Sequence, residues 1–254
     1  MFSLQGKNAF ITGSSSGIGL EVARNFAENG ARVVISGIDD ARDIAEELGA
    51  TAMILNVTDS TQYQRVLKDV TESIGKLDIL VLNAGIAGDV GTLEESPEEF
   101  FDRCMAVNLK GVYLGLKFGP RHMNDGGSII VTGSAAGSGM TAPGSGEYAA
   151  SKAGAAYLAR TSAIELAPRD IRVNVVAPAS IYGTGMMAYE EDSPELALYR
   201  NLTAFGRMGK VKDVVGVYNF LAGDASAFIT GDEIRVDGGM CAGVTLPVAE
   251  RIMG

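Results

Sequence analysis

Tyr148 and Lys152 stand at positions i and i+4 in the run Tyr148-Ala149-Ala150-Ser151-Lys152. On a helix such positions share a face, so a phenol and an ammonium group would point the same way. A free tyrosine titrates near ~10, too high to trade protons efficiently at neutral pH. A cation about 5 Å away, at an effective dielectric of about 20, favours the phenolate by roughly 3 kcal/mol, or up to about two pKa units. The pair could then serve as general acid and base on a hydroxyl or carbonyl oxygen. The same spacing also occurs as a plain surface contact, and only its place in the chain separates the two readings.

That place lies behind a glycine-rich start. Thr12-Gly13-Ser14-Ser15-Ser16-Gly17-Ile18-Gly19 follows a strand-like run, residues 8–12, and leads into an amphipathic helical stretch, residues 19–28. Glycines at such a junction let the backbone turn sharply and let a pyrophosphate reach the amides at a helix N-terminus. A tight turn without a ligand would use the same residues.

These groups need a frame to position them. Strand-like runs at 8–12, 32–36, 52–55, 79–82, 128–132, 172–176 and 233–236 alternate with helical stretches such as 63–73. Repeated strand–helix units predict an α/β fold, a doubly wound parallel sheet of about seven strands with helices on both faces. Ile79-Leu80-Val81-Leu82 is apolar throughout, as a strand buried on both sides should be. Ser96-Pro97-Glu98-Glu99 predicts a helix start, with Ser96 as N-cap, Pro97 at N1 and Glu99 closing a capping box. Neither repeats nor low-complexity linkers divide the chain, so residues 1–254 are expected to form one domain. The long irregular stretch 179–210, with a short helix near 195–201, is expected to cover a ligand. Residues 240–254 form a C-terminal tail.

The 254 residues are 46% hydrophobic and 20% charged, enough for a sizeable core without a metal or disulfide staple. Cys104 and Cys241 are the only cysteines, and their spacing suits neither zinc nor a disulfide framework. Together with the lack of a leader-like start or a membrane-length apolar run, they suggest a soluble cytoplasmic protein. The formal net charge of −10 argues against nucleic acid as a partner and, less strongly, against a very acidic carrier protein. His122 is the only histidine, so no histidine-built metal site exists and no metal is expected.

The chain resembles the short-chain dehydrogenases/reductases in their compact form, nearly end to end. Thr12–Gly19 is similar to that family's glycine motif, Asn83-Ala84-Gly85 to its N-A-G turn, and Asn108 to its helix asparagine. Ser134 in Gly133-Ser134-Ala135-Ala136-Gly137 resembles its catalytic serine, Tyr148/Lys152 its Y-x-x-x-K pair, Asn174–Pro178 its N-x-x-x-P turn and Asp237-Gly238-Gly239 its closing D-G-G. The resemblance implies a Rossmann-like fold and hydride transfer between a nicotinamide cofactor and a secondary alcohol or ketone. It implies Tyr148 as the proton-transferring group, Ser134 as hydrogen-bond partner of the substrate oxygen, and Lys152 as the group that lowers the Tyr148 pKa and holds the nicotinamide ribose. Asn108 would position a water linking Lys152 to solvent.

The resemblance further implies cofactor contacts from Gly13, Ser16, Gly17, Ile18, Gly19, Gly37, Ile38, Asp39, Asn56, Val57, Asn83, Ala84, Gly85, Tyr148, Lys152, Pro178, Ile181 and Thr184. Substrate contacts would come from Ser134, Met140, Tyr148, Ala179, Met186 and Met187. The chain departs from the pattern in places. Leu82 replaces the first Asn of N-N-A-G, Asn56 replaces the Asp at the adenine edge, and Ala179 replaces a Gly. The Ser134–Tyr148 spacing is about one residue longer than usual, which leaves Ser138 and Ser145 as rivals for the serine role.

Gly37 and Ile38 fill the positions where an Asp would take the ribose of NAD or an Arg the phosphate of NADP. Asp39 and Asp40 would repel a 2′-phosphate while Arg42 would attract one, so NAD is favoured over NADP. Asp39 reads equally as the N-cap of the next helix. The lid methionines suit a neutral, largely apolar substrate. The alternatives are a 3-oxoacyl-(acyl-carrier-protein) or 3-oxoacyl-CoA reductase, with Arg169 as one basic docking residue, and a non-catalytic dinucleotide-binding protein. Small residues along 149–156 and the resemblance together imply a homodimer or homotetramer.

Overall fold

The computed structural model describes residues 2–87, 91–185, 193 and 196–253. Val, Ile and Leu runs form the central strands: β1 (Asn8–Ile11), β2 (Arg32–Gly37), β3 (Thr51–Ile54), β4 (Leu77–Leu82), β5 (Met123–Thr132) and β6 (Arg172–Pro178). A separate pair, β7 (Ile181–Tyr182) and β8 (Gly209–Lys210), precedes the last strand, β9 (Glu233–Val236). The main sheet has seven strands in the order β3-β2-β1-β4-β5-β6-β9, parallel throughout.

Successive side chains on a strand face opposite ways, and the core divides accordingly. Phe10, Leu80 and Ile129 enter one hydrophobic cluster, while their neighbours Ile11, Val81 and Ile130 enter the other. The first cluster is covered by α3 (Ser60–Ile74), α5 (Gly111–Phe118) and α7 (Gly146–Leu166), the second by α1 (Gly17–Glu28), α2 (Arg42–Leu48) and α9 (Val211–Ala222). Each helix turns an apolar stripe to the sheet. In α1 the stripe is Gly19, Val22, Ala23 and Phe26; in α3 it is Tyr63, Val66, Leu67, Val70 and Ile74. Asp59 starts α3 by accepting the amides of Thr61 and Gln62, each at 2.9 Å. This is the doubly wound fold that the alternating pattern predicts.

Winding reverses between β1 and β4: β2 and β3 extend to one side, β5, β6 and β9 to the other. The crevice beyond the C-terminal ends of β1 and β4 is therefore the place where such a sheet takes a ligand.

The helix start expected at 96–99 is displaced by one residue. Pro97, with ψ 138°, stays extended, so α4 (Glu98–Cys104) begins one residue late with Pro97 as its N-cap. Ser96 makes no cap; its buried hydroxyl has no hydrogen-bond partner among the described residues. A π-helical turn, Met105–Lys110, joins α4 to α5. The lid contains the small β7–β8 pair and a helix α8 (Ala197–Leu202), and the tail closes in α10 (Leu246–Met253), which packs on α8. Thr245 Oγ1 donates to the Asn201 carbonyl at 2.5 Å and ties tail to lid.

Candidate active site

The glycine turn is pressed against the end of β4. Gly13 has φ +62°, and a Cβ there would lie 2.6 Å from Ala84 Cα. A Cβ on Gly19 would lie 2.5 Å from Asn83 Nδ2 and closer still to the Gly13 carbonyl oxygen. Asn83 Nδ2 donates to the carbonyls of Thr12 (3.1 Å) and Gly13 (2.8 Å), and Thr12 Oγ1 accepts the Asn83 and Ala84 amides at 3.0 and 3.2 Å. Asn83 thus braces the turn rather than facing outward. Ser16 is the N-cap of α1 but makes no side-chain bond to the first-turn amides, and no acidic side chain stands there. The amides from Gly17 through Gly19 fit an anion such as a pyrophosphate.

The residues expected at the adenosine end lie at and just after the ends of β2 and β3. Gly37 is buried, and a Cβ on it would meet Ser15 Oγ at 2.8 Å; Ile38 and Asp39 are exposed. Asp39 is not a helix cap. The N-cap of α2 is Ala41, and Asp40 Oδ1 accepts the Arg42 amide at 3.0 Å because Asp40 sits two residues ahead of it. Asp40 also holds the Arg42 guanidinium at 2.6 Å, which keeps its carboxyl below the usual range. Val57 is buried, whereas Asn56 is exposed and accepts the Thr58 amide and hydroxyl on Oδ1 at 3.0 and 2.9 Å. Its NH₂ is the part left for an adenine edge.

Ser134, Tyr148 and Lys152 meet beyond the end of β5. A Cβ on Gly137 would lie 2.7 Å from the Ala153 nitrogen, so this glycine lets α6 (Ala135–Ser138) rest on the backbone of α7. Ser134, at the head of α6, stands beside the Tyr148 phenol, its hydroxyl accepting the Ala136 amide at 3.2 Å. Lys152 Nζ lies 5.8 Å from the Tyr148 ring centroid and donates to the Thr132 carbonyl at 2.8 Å. The expected lowering of the Tyr148 pKa by Lys152 is not found here. Burial pushes the phenol up, with the Ser134 hydroxyl pulling the other way, and burial brings Lys152 down to about 8. The ammonium lies over the ring, engaged by the Thr132 carbonyl and buried, while Tyr148 itself is half-buried.

Asn108, in the π-helical turn, is fully buried. Its Oδ1 accepts the Ile86 amide at 2.8 Å, and its Nδ2 faces the Ile86 carbonyl, Ser151 Oγ and Cys104 Sγ at 2.9, 3.1 and 3.2 Å. Ser151 passes the link on to the Tyr148 carbonyl at 2.7 Å. Asn108 therefore braces the chain after Gly85 against α7. A Cβ on Gly85 would lie 3.2 Å from both Asn108 Oδ1 and Lys152 Nζ, so the two side chains border the same space.

The other positions sort by distance from this centre. Ser145 is tied to Ala142 and Thr141 at the surface, and Ser138 sits beside Glu233, so neither stands with Tyr148. Met140 is half-buried just after α6. Pro178 ends β6, the Ala179 amide bonds the Val236 carbonyl, and Ile181 lies in β7. Thr184 donates to the Ile181 carbonyl at 3.2 Å and faces Gly17, whose Cβ would lie 3.7 Å away. Met186 and Met187 lie outside the described residues. Thr132, Ser151 and Cys104 were not singled out from sequence. Their signal was positional: Thr132 ends a strand two residues before Ser134, and Ser151 and Cys104 stand one residue before Lys152 and four before Asn108.

Among the described residues no helix is long and apolar enough to cross a membrane, and no three His, Cys, Asp or Glu side chains gather as metal ligands.

Comparison with known proteins agrees with this geometry. A family model described as enoyl-(acyl carrier protein) reductase matches residues 13–241. A 3-oxoacyl-(acyl-carrier-protein) reductase FabG of Thermotoga maritima is 40% identical over 246 residues, covering 93% of this chain and 98% of the relative. A mitochondrial borneol dehydrogenase of Lavandula x intermedia is 38% identical over 245 residues, covering 93% and 91%. The crystal structure of a dehydrogenase/reductase from Sinorhizobium meliloti 1021 superposes with a TM-score of 0.89 at 35% identity, covering 94% of this chain and 96% of that one. With its glycine turn, its seven-stranded parallel sheet and these relatives along nearly its whole length, the chain belongs to the short-chain dehydrogenase/reductase family and is an oxidoreductase that acts on CH–OH or keto groups with a nicotinamide cofactor.

Proposed function

We propose that the protein interconverts a neutral, largely apolar secondary alcohol and the corresponding ketone. The observation that carries this reading is the gathering of Ser134, Tyr148 and Lys152 beside the glycine turn. A bound nicotinamide would supply or take up the hydride. The Ser134 hydroxyl holds the substrate oxygen and steadies its developing charge. The Tyr148 phenol gives that oxygen a proton in reduction and removes it in oxidation. Lys152, held by the Thr132 carbonyl, would bind the nicotinamide ribose.

Replacement of Tyr148 by Phe tests the assignment. Turnover, followed by the absorbance of the reduced nicotinamide with a panel of alcohols and ketones, should be nearly abolished while nucleotide binding stays close to wild type. Turnover retained within about tenfold would remove Tyr148 from its role.

NAD is favoured over NADP because Arg42 is already paired with Asp40 and the glycine turn offers serines instead of a cation. The 3-oxoacyl reductase reading draws support from the Thermotoga relative. Against a carrier-protein docking role, Arg169 is engaged by Asp125 at 2.7 Å and by the carbonyls of Pro120 and Met123 at 2.6 and 2.9 Å. A homodimer or homotetramer is supported by an apolar groove along Met105, Leu109, Tyr113, Gly154 and Leu158, flanked by exposed Phe101 and Tyr157. Cys104 and Cys241, both free thiols, fit a reducing cytoplasm.

A further inference from the structure

Behind the catalytic lysine runs a chain of buried hydrogen bonds whose direction can be read from its donors and acceptors. Tyr218, in α9, is completely buried, and its phenol oxygen lies 2.7 Å from Thr132 Oγ1. Thr132 Oγ1 lies 3.1 Å from Asn83 Oδ1. Asn83 Nδ2 faces two backbone carbonyls, Thr12 and Gly13, so the amide nitrogen must point there and Oδ1 must accept. Thr132 has one hydroxyl hydrogen and gives it to Asn83. The Tyr218 hydroxyl must then donate to Thr132. The order Tyr218 → Thr132 → Asn83 → glycine turn is therefore fixed, and each hydrogen in it is accounted for.

Thr132 is the node of this chain. Its backbone carbonyl holds Lys152 Nζ while its side chain sets the Asn83 amide. Tyr218 in turn belongs to the helix that follows β8, and β8 pairs with β7, the strand of Ile181. One hydroxyl pair thus joins the base of the lid, the catalytic lysine and the carbonyls of the phosphate turn.

We propose that Tyr218 and Thr132 are positioning residues for the nicotinamide cofactor, acting through Asn83 to preset the glycine turn; this rests on the oxidoreductase reading above. Without the Thr132 hydroxyl, Asn83 Oδ1 has no donor and its amide is free to rotate away from Thr12 and Gly13. The turn then has to be ordered at the moment the nucleotide binds, which weakens binding.

The test is the Kd of NADH and NADPH by nicotinamide fluorescence, with thermal midpoints measured in parallel. Thr132→Val should weaken the better-bound nucleotide about tenfold, the scale of one lost buried hydrogen bond. Thr132→Ser, which keeps the hydroxyl, should bind within about twofold of wild type, and Tyr218→Phe, nearly isosteric, should weaken binding about threefold. Two results would overturn the proposal while leaving the function intact: Val and Phe variants with lower thermal midpoints but unchanged Kd, or a Ser variant as weak as the Val variant. A wild-type chain that binds neither nucleotide would instead refute the functional reading, and this proposal with it.

Discussion

Gly19→Ala is the sharpest test of how the turn works. The added methyl carbon would sit 2.5 Å from Asn83 Nδ2, nearer still to the Gly13 oxygen, and 2.9 Å from Ser14 Cα. Two of these neighbours are backbone atoms and cannot swing aside. The methyl also intrudes on the 2.8 Å bond from Asn83 to Gly13. Overpacking a filled space costs about 1–3 kcal/mol, and loss of the bond adds about 1 kcal/mol. If the strain is relieved by opening the turn, the whole sum falls on the binding-competent state, and the nucleotide Kd should rise about 30- to 700-fold. The assay is fluorescence titration with NADH and NADPH on protein whose far-UV circular dichroism is unchanged. Gly216→Ala is the control. It lies mid-helix in α9 with nothing within 4 Å of the added carbon, so it should stabilise the fold by about 0.5–1 kcal/mol and leave binding alone. A folded Gly19→Ala protein that binds nucleotide within threefold of wild type would refute the argument that this contact shapes the site.

Burial holds Lys152 at about 8 against its ordinary 10.5, so the folded chain releases this proton before the unfolded chain does. The group's contribution to stability should rise as pH increases from about 8 to 10.5, and Lys152→Met should lose that rise in urea midpoints measured across the range; parallel curves would contradict the burial effect. Asp40→Ala should free the Arg42 guanidinium and shift the ratio of NADPH to NADH affinity toward NADPH by several-fold, whereas an unchanged ratio would mean that Arg42 does not face the 2′ position.

The sheet was legible because burial on both faces leaves a direct mark: β4 reads Leu-Asp-Ile-Leu-Val-Leu, and the helices that cover it repeat apolar residues every three or four positions. The pairing of Tyr148 and Lys152 was legible as spacing, and Ser134 only through the family resemblance. The pair's electrostatics were not. Helical periodicity places Tyr148 and Lys152 on one face, but it carries no information about a carbonyl from β5 capturing the ammonium or about how deeply that ammonium is buried. The same limit explains Asp39 and Ser96. Each was a sound capping residue by type, and in each case a neighbour won, since Asp40 stood nearer the first free amide and Pro97 held an extended ψ.

What brings distant motifs together is strand register. Ile11 pairs with Val81, and Leu82 pairs with Val131, so the next residues along, Thr12, Asn83 and Thr132, emerge side by side at one edge of the sheet. All three strands run parallel, and that edge is necessarily the C-terminal one for each. The glycine turn, the N-A-G turn and the serine loop therefore share a border although they are far apart in the chain. The winding order also divides the labour. The ends of β2 and β3 and the loops after them lie on one side of β1 and carry Gly37, Asp40 and Asn56, while the ends of β4, β5 and β6 and the loops after them carry Asn83, Ser134 and Pro178. Substitutions on the first side should change which nucleotide is chosen without altering proton transfer. Substitutions at Tyr148 should do the reverse, and Thr132, which holds both Asn83 and Lys152, should move nucleotide affinity and proton transfer together without changing which nucleotide is chosen.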